Sequence, residues 1–449
     1  MTAIAVVFVL LATGAVALGI STAPRSTAAV VAPTSEPTAD AARTQPEGLA
    51  LVSRLRTCMV ATAAADPLLG TLAATVMNAT TGEILFDRDG AAPVSPASAQ
   101  QLLTAAAAIT SLGPDTTFTT RVIDGTTAGS IVLVGGGDPT LSTTAASVYD
   151  GAPLISDLAT AAMAKYVTAH PGVPITRIEL DASLWDAADN WDPSWPASER
   201  TEGYLPYITA LMIDGDRADP TQLISARSDD PIARAGAAFA SAAGLSGITF
   251  TRGKATGTTV LAEVSSQPVR TLVSQMLADS DNAIAEMLAR ATSLKQNLGG
   301  TSGSLEQALS TPLATLGMPG VDGLGITDGS GESANNAVPP LFLAQLMVKI
   351  NSGEQGLGVV LDALPRGGTS GDLVDRFSGE NAAAGESVRA KTGWIFRERS
   401  LAGVVTAADG TNLTFAFYAL GEAITFDSQQ ALDTLTAAVY SCGDNLSNN

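Results

Sequence analysis

Residues 94–113 constrain the fold most, because they combine a helix start with an apolar run that needs a large core. Pro96 suits a first helical turn, where its missing N–H would have no partner in any case. Apolar residues then recur at helical spacing, at positions 102, 103, 106 and 107, as far as Gly113. Ser98 is therefore expected in the first turn of a buried helix, in the positive field of its N-terminus. It could act as a nucleophile or only cap the helix, and this stretch alone favours the cap.

Length and charge limit the classes of function open to the chain. At 449 residues, with 46% hydrophobic and 15% charged side chains, it is globular and long enough for more than one domain. Its formal net charge of −20 argues against nucleic acid as a partner, because phosphate binding needs basic surfaces. An acidic surface of this kind is compatible with a soluble protein outside the cytoplasm.

The scarcity of two residue types narrows the chemistry further. His170 is the single histidine, so a Ser-His-Asp triad or a zinc site with several histidines would have to use it. Its neighbour Pro171 and the polar residues around it predict a surface loop instead. A serine hydrolase built on this chain would therefore take a lysine or a carboxylate as its base. The candidate lysines are Lys165, Lys254, Lys295, Lys349 and Lys391.

The first 48 residues predict an exported protein. Residues 1–20 are almost uninterruptedly apolar and carry no charged side chain, which is typical of a signal peptide or a short membrane anchor. The sequence leaves cleavage and anchoring open, and we expect membrane contact only through this segment. Residues 21–48 are rich in Ala, Thr, Pro and Ser, a composition that predicts a tether. The protein is thus expected to be extracytoplasmic, either secreted or membrane-anchored.

The two cysteines, Cys58 and Cys442, lie near opposite ends of the globular part. Their separation is unlike that of a metal site or a redox-active pair. In an exported protein they predict one disulfide that ties the first helix to the last, and two free buried thiols are the alternative.

Hydrophobic patterning predicts a globular part that is interrupted by an inserted domain. A helix is expected at 49–65, followed by a strand hairpin at 72–87 that leads into the Ser98 helix. Further helices are expected at 269–277, 283–294, 339–350 and from Asp427 or Ser428, and strands at 388–392, 400–406 and 413–420. Residues 116–263 alternate strands with Ala-rich helices, and we interpret them as an insertion between a first part, 49–115, and a second part, 264–449.

Three short motifs occur along the chain: Ser98, then Ser280-Asp281-Asn282, then Lys391-Thr392-Gly393 on a predicted strand. Each is weak alone, but their order resembles the three elements of penicillin-binding proteins and serine β-lactamases. The resemblance extends to the D-alanyl-D-alanine carboxypeptidases and endopeptidases of the class C low-molecular-mass penicillin-binding proteins. It is carried by five stretches, 96–107, 133–141, 280–286, 328–331 and 400–403, and covers nearly everything after the tether.

This resemblance implies an α/β (α+β) fold of the serine β-lactamase and penicillin-binding-protein type, in which helices flank an antiparallel sheet and a domain is inserted. In such enzymes a serine attacks the carbonyl of a terminal D-Ala-D-Ala bond, and an acyl-enzyme forms and is hydrolysed. The implied partners are peptidoglycan stem peptides of the cell wall and β-lactams. No metal and no other cofactor is implied.

Carried over position by position, the resemblance makes Ser98 the nucleophile, with Ser280 as a proton relay. Lys391 and Thr392 would face the substrate carboxylate. The backbone N–H of Ser98 would provide one half of an oxyanion hole.

The remaining positions of the motifs would bind substrate. Asn282 would hold the substrate amide, and Gly393 would complete the strand motif. The backbone N–H of Trp394 would provide the other half of the oxyanion hole.

Two positions depart from the family pattern. The family has a lysine three residues after the serine, on the same helix face, whereas this chain has Gln101. A neutral amide can hydrogen-bond a hydroxyl but cannot take its proton at ordinary pH. The family also has a small hydroxyl residue and a glycine turn where this chain has Trp394 and the residues after it. We expect the indole to narrow the site beside the nucleophile.

These departures leave two functions open. The first is a slow D,D-carboxypeptidase or endopeptidase of the cell wall, in which Lys391 through Ser280, or a carboxylate, replaces the missing base. The second is a non-catalytic relative that binds peptidoglycan peptides or a partner in wall synthesis. The family resemblance favours the first function, and the loss of the lysine favours the second.

Overall fold

Two five-stranded sheets organise residues 55–422 and 424–448, the part of the chain that the computed structural model describes. The strands are β1 (Thr71–Asn78), β2 (Ile84–Arg88), β3 (Thr119–Asp124), β4 (Ser130–Val134), β5 (Arg177–Asp181), β6 (Thr249–Arg252), β7 (Val260–Ser265), β8 (Val388–Ile395), β9 (Glu398–Thr406) and β10 (Asn412–Leu420). The α-helices are α1 (Ala61–Ala64), α2 (Gln101–Leu112), α3 (Ile155–Ala169), α4 (Ser198–Glu202), α5 (Pro231–Ala242), α6 (Val269–Asp279), α7 (Asn282–Lys295), α8 (Leu305–Thr315), α9 (Pro340–Ser352), α10 (Gly358–Ala363) and α11 (Ser428–Cys442). The predicted export segment and tether lie outside the described residues.

The first sheet is antiparallel throughout, in the order β2-β1-β10-β9-β8. It joins the two ends of the described chain, because β1 pairs with β10 from Thr71 opposite Leu420 to Asn78 opposite Leu413. β8 is the outermost strand. Among the described residues, only its first positions, 388–390, pair on their outer side, with residues 365–367, so the end of β8 has an open edge there.

Alternate residues of this sheet point into two different cores, which explains why its central strands are apolar at nearly every position. In β9, Ala402 and Val404 join the cluster formed with α2 and α6–α10. Leu401 and Val405 point to the opposite face and join the cluster formed with α1 and α11. The sheet is therefore covered by helices on both faces, and the expected fold class is confirmed.

The two chain ends are joined by the predicted disulfide. Cys58 and Cys442 are bonded, with their Cα atoms 5.4 Å apart. The helix predicted at 49–65 is wrong in its described part, where only Ala61–Ala64 is helical. Residues before it pair instead with the C-terminal segment: Cys58 N donates to Asn445 O at 3.1 Å, and Ser447 N donates to Cys58 O at 2.8 Å. These bonds hold the segment extended, against its helical pattern.

The second sheet has the order β6-β5-β4-β3-β7 and falls in the region interpreted as an inserted domain. β4, β5 and β6 run parallel, and α3 lies between β4 and β5 in the chain and α5 between β5 and β6. β3 and β7 close the sheet with antiparallel pairings. This sheet and its helices enclose their own apolar cluster. None of the helices in the described part combines the length and the apolar character that crossing a membrane requires.

Candidate active site

Ser98 lies in a tight turn immediately before α2. Residues Ala97–Gln100 form a 3-10 turn, whereas the sequence predicts the first turn of the α-helix itself here. Ala97 has a positive φ of 46°. Positive φ is uncommon for alanine and has to be held by the surroundings. Ser400 Oγ of β9 donates to Pro96 O at 2.5 Å and so fixes the turn to the sheet. Ser98 itself is 7% exposed.

The end of β8 passes directly beside this turn. A side-chain carbon at Gly393 would lie 2.9 Å from Ser98 N and would also collide with Ser400 Oγ. Only glycine therefore allows the strand to approach the serine this closely. The third motif thus contacts the first, as its position in the family pattern implies.

Lys391 links β8 to the second motif. Its Nζ donates to Ser280 Oγ and to Thr392 O, both at 2.8 Å, and lies 3.8 Å from Asp372 Oδ2. Burial lowers the pKa of Lys391 to about 8, although Asp372 and Asp279 act in the opposite direction. We call Lys391, Ser280 and Asp372 the β8 wall of the site. It holds an amine whose pKa is close to the range that a base needs at neutral pH.

Gln101, in the first turn of α2, is fully buried. Its Nε2 donates to Asn282 Oδ1 at 3.1 Å and to Ser330 O at 3.3 Å. Its Oε1 has no hydrogen-bond partner among residues 55–422 and 424–448. Gln101 thus contacts Asn282 of the second motif.

Asn282 continues this contact to a carboxyl group that sequence reasoning missed. Its Nδ2 donates to Glu332 Oε2 at 3.1 Å. Burial, with the negative charges of Glu199 and Asp328, raises the pKa of Glu332 to about 8. We call Gln101, Asn282 and Glu332 the α2 wall. Its titratable group is a carboxyl that is largely neutral at pH 7.

A second buried carboxyl supports the loop behind the α2 wall. Glu286 Oε1 accepts from Gly329 N at 2.9 Å and from Ser330 N at 2.7 Å. Burial, with the charge of Asp328, raises the pKa of Glu286 well above its usual range. Both glutamates lie within or next to stretches that carry the family resemblance, and that position was the available signal for them.

The Trp394 side chain does not narrow the site beside Ser98, contrary to what we expected from its size. Strand alternation puts its side chain on the face opposite Gly393, where it pairs across the strands with Arg399. The Arg399 guanidinium lies 4.4 Å from the centre of the Trp394 ring and 5.3 Å from that of Phe426, next to α11. Ser98 is on the other side of β8. The expected steric role of the indole therefore finds no support in the geometry.

Thr392 and His170 lie in different parts of the fold. Thr392 Oγ1 donates to Asp372 Oδ2 at 3.0 Å and so belongs to the open edge of β8. His170 Nε2 lies 2.7 Å from Asp124 Oδ2 of the second sheet, so the single histidine is not among the groups gathered around Ser98. Within the described ranges, no group of three or more His, Cys, Asp and Glu side chains is arranged to hold a metal ion.

Comparison with known proteins identifies the family of the chain. The profile of the family described as D-Ala-D-Ala carboxypeptidase 3 (S13) matches residues 57–223 and 216–439. The chain belongs to the S13 family. It is 34% identical over 395 residues to carboxypeptidase DacB of Mycolicibacterium smegmatis, which covers 86% of this chain and 83% of that protein. It is 28% identical over 410 residues to a D-alanyl-D-alanine carboxypeptidase of an Actinomadura species, over 75% of both chains.

The S13 assignment extends to the fold. The crystal structure of penicillin-binding protein 4 from Haemophilus influenzae superimposes with a TM-score of 0.66 at 20% identity, over 82% of this chain and 95% of that one. Family membership makes the chain a hydrolase of the peptidase class and, coarsely, a carboxypeptidase that acts on peptidoglycan.

Proposed function

We propose that the chain is a serine-type D-Ala-D-Ala carboxypeptidase or endopeptidase that cleaves peptidoglycan stem peptides through an acyl-enzyme on Ser98. One observation carries the proposal: the buried Lys391 Nζ lies 2.8 Å from Ser280 Oγ, on a strand that contacts the Ser98 turn. This arrangement supplies a route for a proton away from Ser98 that does not need a lysine at position 101.

Lys391 acts as the base through Ser280. The Ser98 hydroxyl proton passes to Ser280 Oγ while the Ser280 proton passes to the neutral Lys391 amine, and Ser98 Oγ bonds to the carbonyl carbon. When the C–N bond breaks, the same path returns the proton to the leaving amine. Water then hydrolyses the ester, which releases the shortened peptide and restores the Ser98 hydroxyl. The pKa of Lys391, about 8, allows the amine both to accept and to donate near neutral pH.

The substrate peptide lies along the open edge of β8. Val388 O accepts from Gly367 N and Ala390 N donates to Pro365 O on the outer side of the strand. By the two-residue period of a strand, Thr392 and Trp394 present their backbone groups on that same side. An extended peptide adds there as a further strand, with the Trp394 N–H directed at its carbonyl oxygen. Thr392 faces the terminal carboxylate, and Asn282 holds an amide of the substrate.

Gln101 makes this enzyme slow. It keeps the two hydrogen bonds of the α2 wall but removes a proton acceptor one turn from Ser98. Loss of a positioned general base costs roughly 10²–10⁴-fold in rate. The fully buried Gln101 favours a second candidate function, a non-catalytic relative that binds peptidoglycan peptides or a partner in wall synthesis.

A labelled penicillin separates the two functions. Penicillin-binding protein 4 of Haemophilus influenzae, which has the same fold, has been crystallised with a β-lactam. We expect slow covalent labelling of this chain at Ser98, mapped by peptide mass, together with release of D-Ala from a peptide ending in D-Ala-D-Ala. Ser98→Ala abolishes both signals, whereas Ser441→Ala, an exposed serine on α11, leaves them unchanged. A folded protein that shows neither signal would refute the enzymatic proposal in favour of binding alone.

Action on peptidoglycan requires that the protein be outside the cytoplasm. The predicted export segment at 1–20 and the cell-wall substrates of the S13 family support this location. We therefore propose an extracytoplasmic protein of the cell wall, secreted or anchored through its N-terminal segment.

A further inference from the structure

The loop of the second motif has a conformation that needs external support. Ser280 has φ 54° and ψ 42°, in the left-handed region that a serine rarely adopts. Asp281, the next residue, caps α7 by accepting from Ile284 N at 2.9 Å through Oδ1. The second carboxylate oxygen, Oδ2, takes no part in this cap.

That second oxygen is held by two residues from the region of the second sheet. Arg217 Nη2 donates to Asp281 Oδ2 at 2.8 Å, and Tyr149 Oη donates to the same oxygen at 3.0 Å. Arg217 Nη1 in turn donates to Tyr149 Oη at 2.6 Å. All three side chains are buried. The contact therefore joins the region interpreted as an inserted domain to the loop that carries Ser280 and Asn282.

Arg217 is itself held in place by its surroundings. Its Nε donates to Leu223 O at 3.0 Å. Gly215 has φ 58°, and any side chain there would collide with Arg217 Nη1 and Tyr149 Oη. The Gly215 carbonyl accepts from the buried Arg227. The guanidinium is thus confined to one position, facing Asp281.

Electrostatics favour the contact between Asp281 and Arg217. Burial would raise the pKa of Asp281, but the charges of Arg217 and Arg227 and the hydrogen bonds bring it below its ordinary value. A buried carboxylate that loses its cation either takes up a proton or moves toward water. Either change would disturb the cap of α7 and the two neighbours of Asp281, Ser280 and Asn282.

We propose that Arg217 and Tyr149 are positioning residues of the active site. Through Asp281 they hold Ser280 Oγ on Lys391 Nζ and keep Asn282 against Gln101. This assigns a role to the inserted region: it fixes the second motif from outside the domain that carries the first and third. The proposal deepens the proposed function and rests on it for its kinetic test.

The kinetic test compares two buried Arg–Asp pairs. Arg217→Met removes the cation beside Asp281, and Arg376→Met removes its counterpart beside Asp433, a pair bonded at 2.6–3.1 Å against α11 on the other face of the sheet. Both variants are expected to melt at lower temperature. We expect Arg217→Met to lower the acylation rate constant at Ser98 by about tenfold or more, because small displacements of reacting groups cost this much. Arg376→Met stays within about twofold of native in the same measurement.

Two milder variants keep the test valid if Arg217→Met does not fold. Tyr149→Phe removes one hydroxyl, and we expect a roughly threefold to tenfold slower acylation with a changed pH midpoint, since Ser280 shifts on Lys391. Tyr418→Phe, which removes a buried hydroxyl without a partner in the described residues, is the matched control. Arg217→Lys keeps the charge and should recover part of the rate. Native acylation in Arg217→Met and Tyr149→Phe would overturn the proposal.

A second readout does not depend on acylation. If the native protein never labels, the proposed function fails, and hydrogen exchange then decides the positioning role. Exchange at the backbone amides of residues 280–286 should be faster in Tyr149→Phe than in Tyr418→Phe. Equal exchange in the two variants would overturn the positioning role.

Discussion

The two walls beside Ser98 contain equivalent hydrogen bonds but differ in their chemistry. In the β8 wall, Lys391 Nζ and Ser280 Oγ are 2.8 Å apart, and both groups can carry a proton. In the α2 wall, Gln101 Nε2 and Asn282 Oδ1 are 3.1 Å apart. Both groups belong to amides, which do not take up a proton at ordinary pH. The difference teaches that the hydrogen bonds of a site can persist where an amide stands in place of the lysine that the family resemblance implies. Under the proposed function, catalysis then depends on the β8 wall.

The largest effect is expected from the β8 wall. Lys391→Met removes the proposed proton acceptor, and we expect acylation by a labelled penicillin to fall by roughly 10²–10⁴-fold. Lys349→Met, which removes a lysine paired with Glu354 at 3.1 Å on α9, is the matched control and should label like the native protein. A Lys391→Met variant that folds and labels normally would contradict the proposal that the β8 wall holds the proton acceptor.

The pH dependence should follow the same wall. Since burial lowers the pKa of Lys391 to about 8, the neutral amine increases from about 1% at pH 6 to about 90% at pH 9. Acylation should therefore rise roughly a hundredfold over that range, with its midpoint near the pKa of Lys391. Asp372 raises this pKa, so Asp372→Asn should move the midpoint to lower pH.

A carboxyl of the α2 wall has a similar pKa and provides the control for this profile. Burial raises the pKa of Glu332 to about 8 as well. Glu332→Gln should leave the midpoint of acylation unchanged if Lys391 is the titrating base. If acylation no longer increased with pH in Glu332→Gln, this carboxyl and not Lys391 would be the titrating base.

The smallest effect is expected at Trp394, the second position that departs from the family pattern. The Trp394 side chain stacks on Arg399 on the face away from Ser98, so Trp394→Ser should change acylation by no more than about threefold. Its backbone N–H, which we propose for the oxyanion hole, is retained in the variant. If acylation in Trp394→Ser were more than about tenfold faster than in the native protein, the indole would have to obstruct access to Ser98.

Much of the site could be predicted from the sequence because short motifs carry local structure with them. Ser280-Asp281-Asn282 predicts a helix start, and α7 begins at Asn282. The disulfide between Cys58 and Cys442 followed from a count of two cysteines in a chain that is predicted to be exported, and it is confirmed. Motif order indicated that Ser98, Asn282 and Lys391 belong to one site.

The parts that sequence analysis missed depend on distant partners or on weak local signals. The helix predicted at 49–65 gave way to pairing with residues 445–447, which no local pattern encodes. Helix α8, which was not predicted, carries Pro312 in its interior, so its helical pattern is weak. The contact of Arg217 with Asp281 spans 64 residues and two sheets, and only the folded structure reveals it.

The most direct test of the account asks whether the role of base can be returned to the α2 wall. Gln101→Lys puts an amine beside Asn282 and Ser330, and burial should lower its pKa toward the range that a base needs. We expect acylation to rise by roughly 10²-fold or more, with Ser98→Ala in the same background abolishing it. Adding Lys391→Met should then cost much less than in the native protein, because the new lysine takes the proton. A native rate in Gln101→Lys, or the same loss on adding Lys391→Met as in the native chain, would contradict the account.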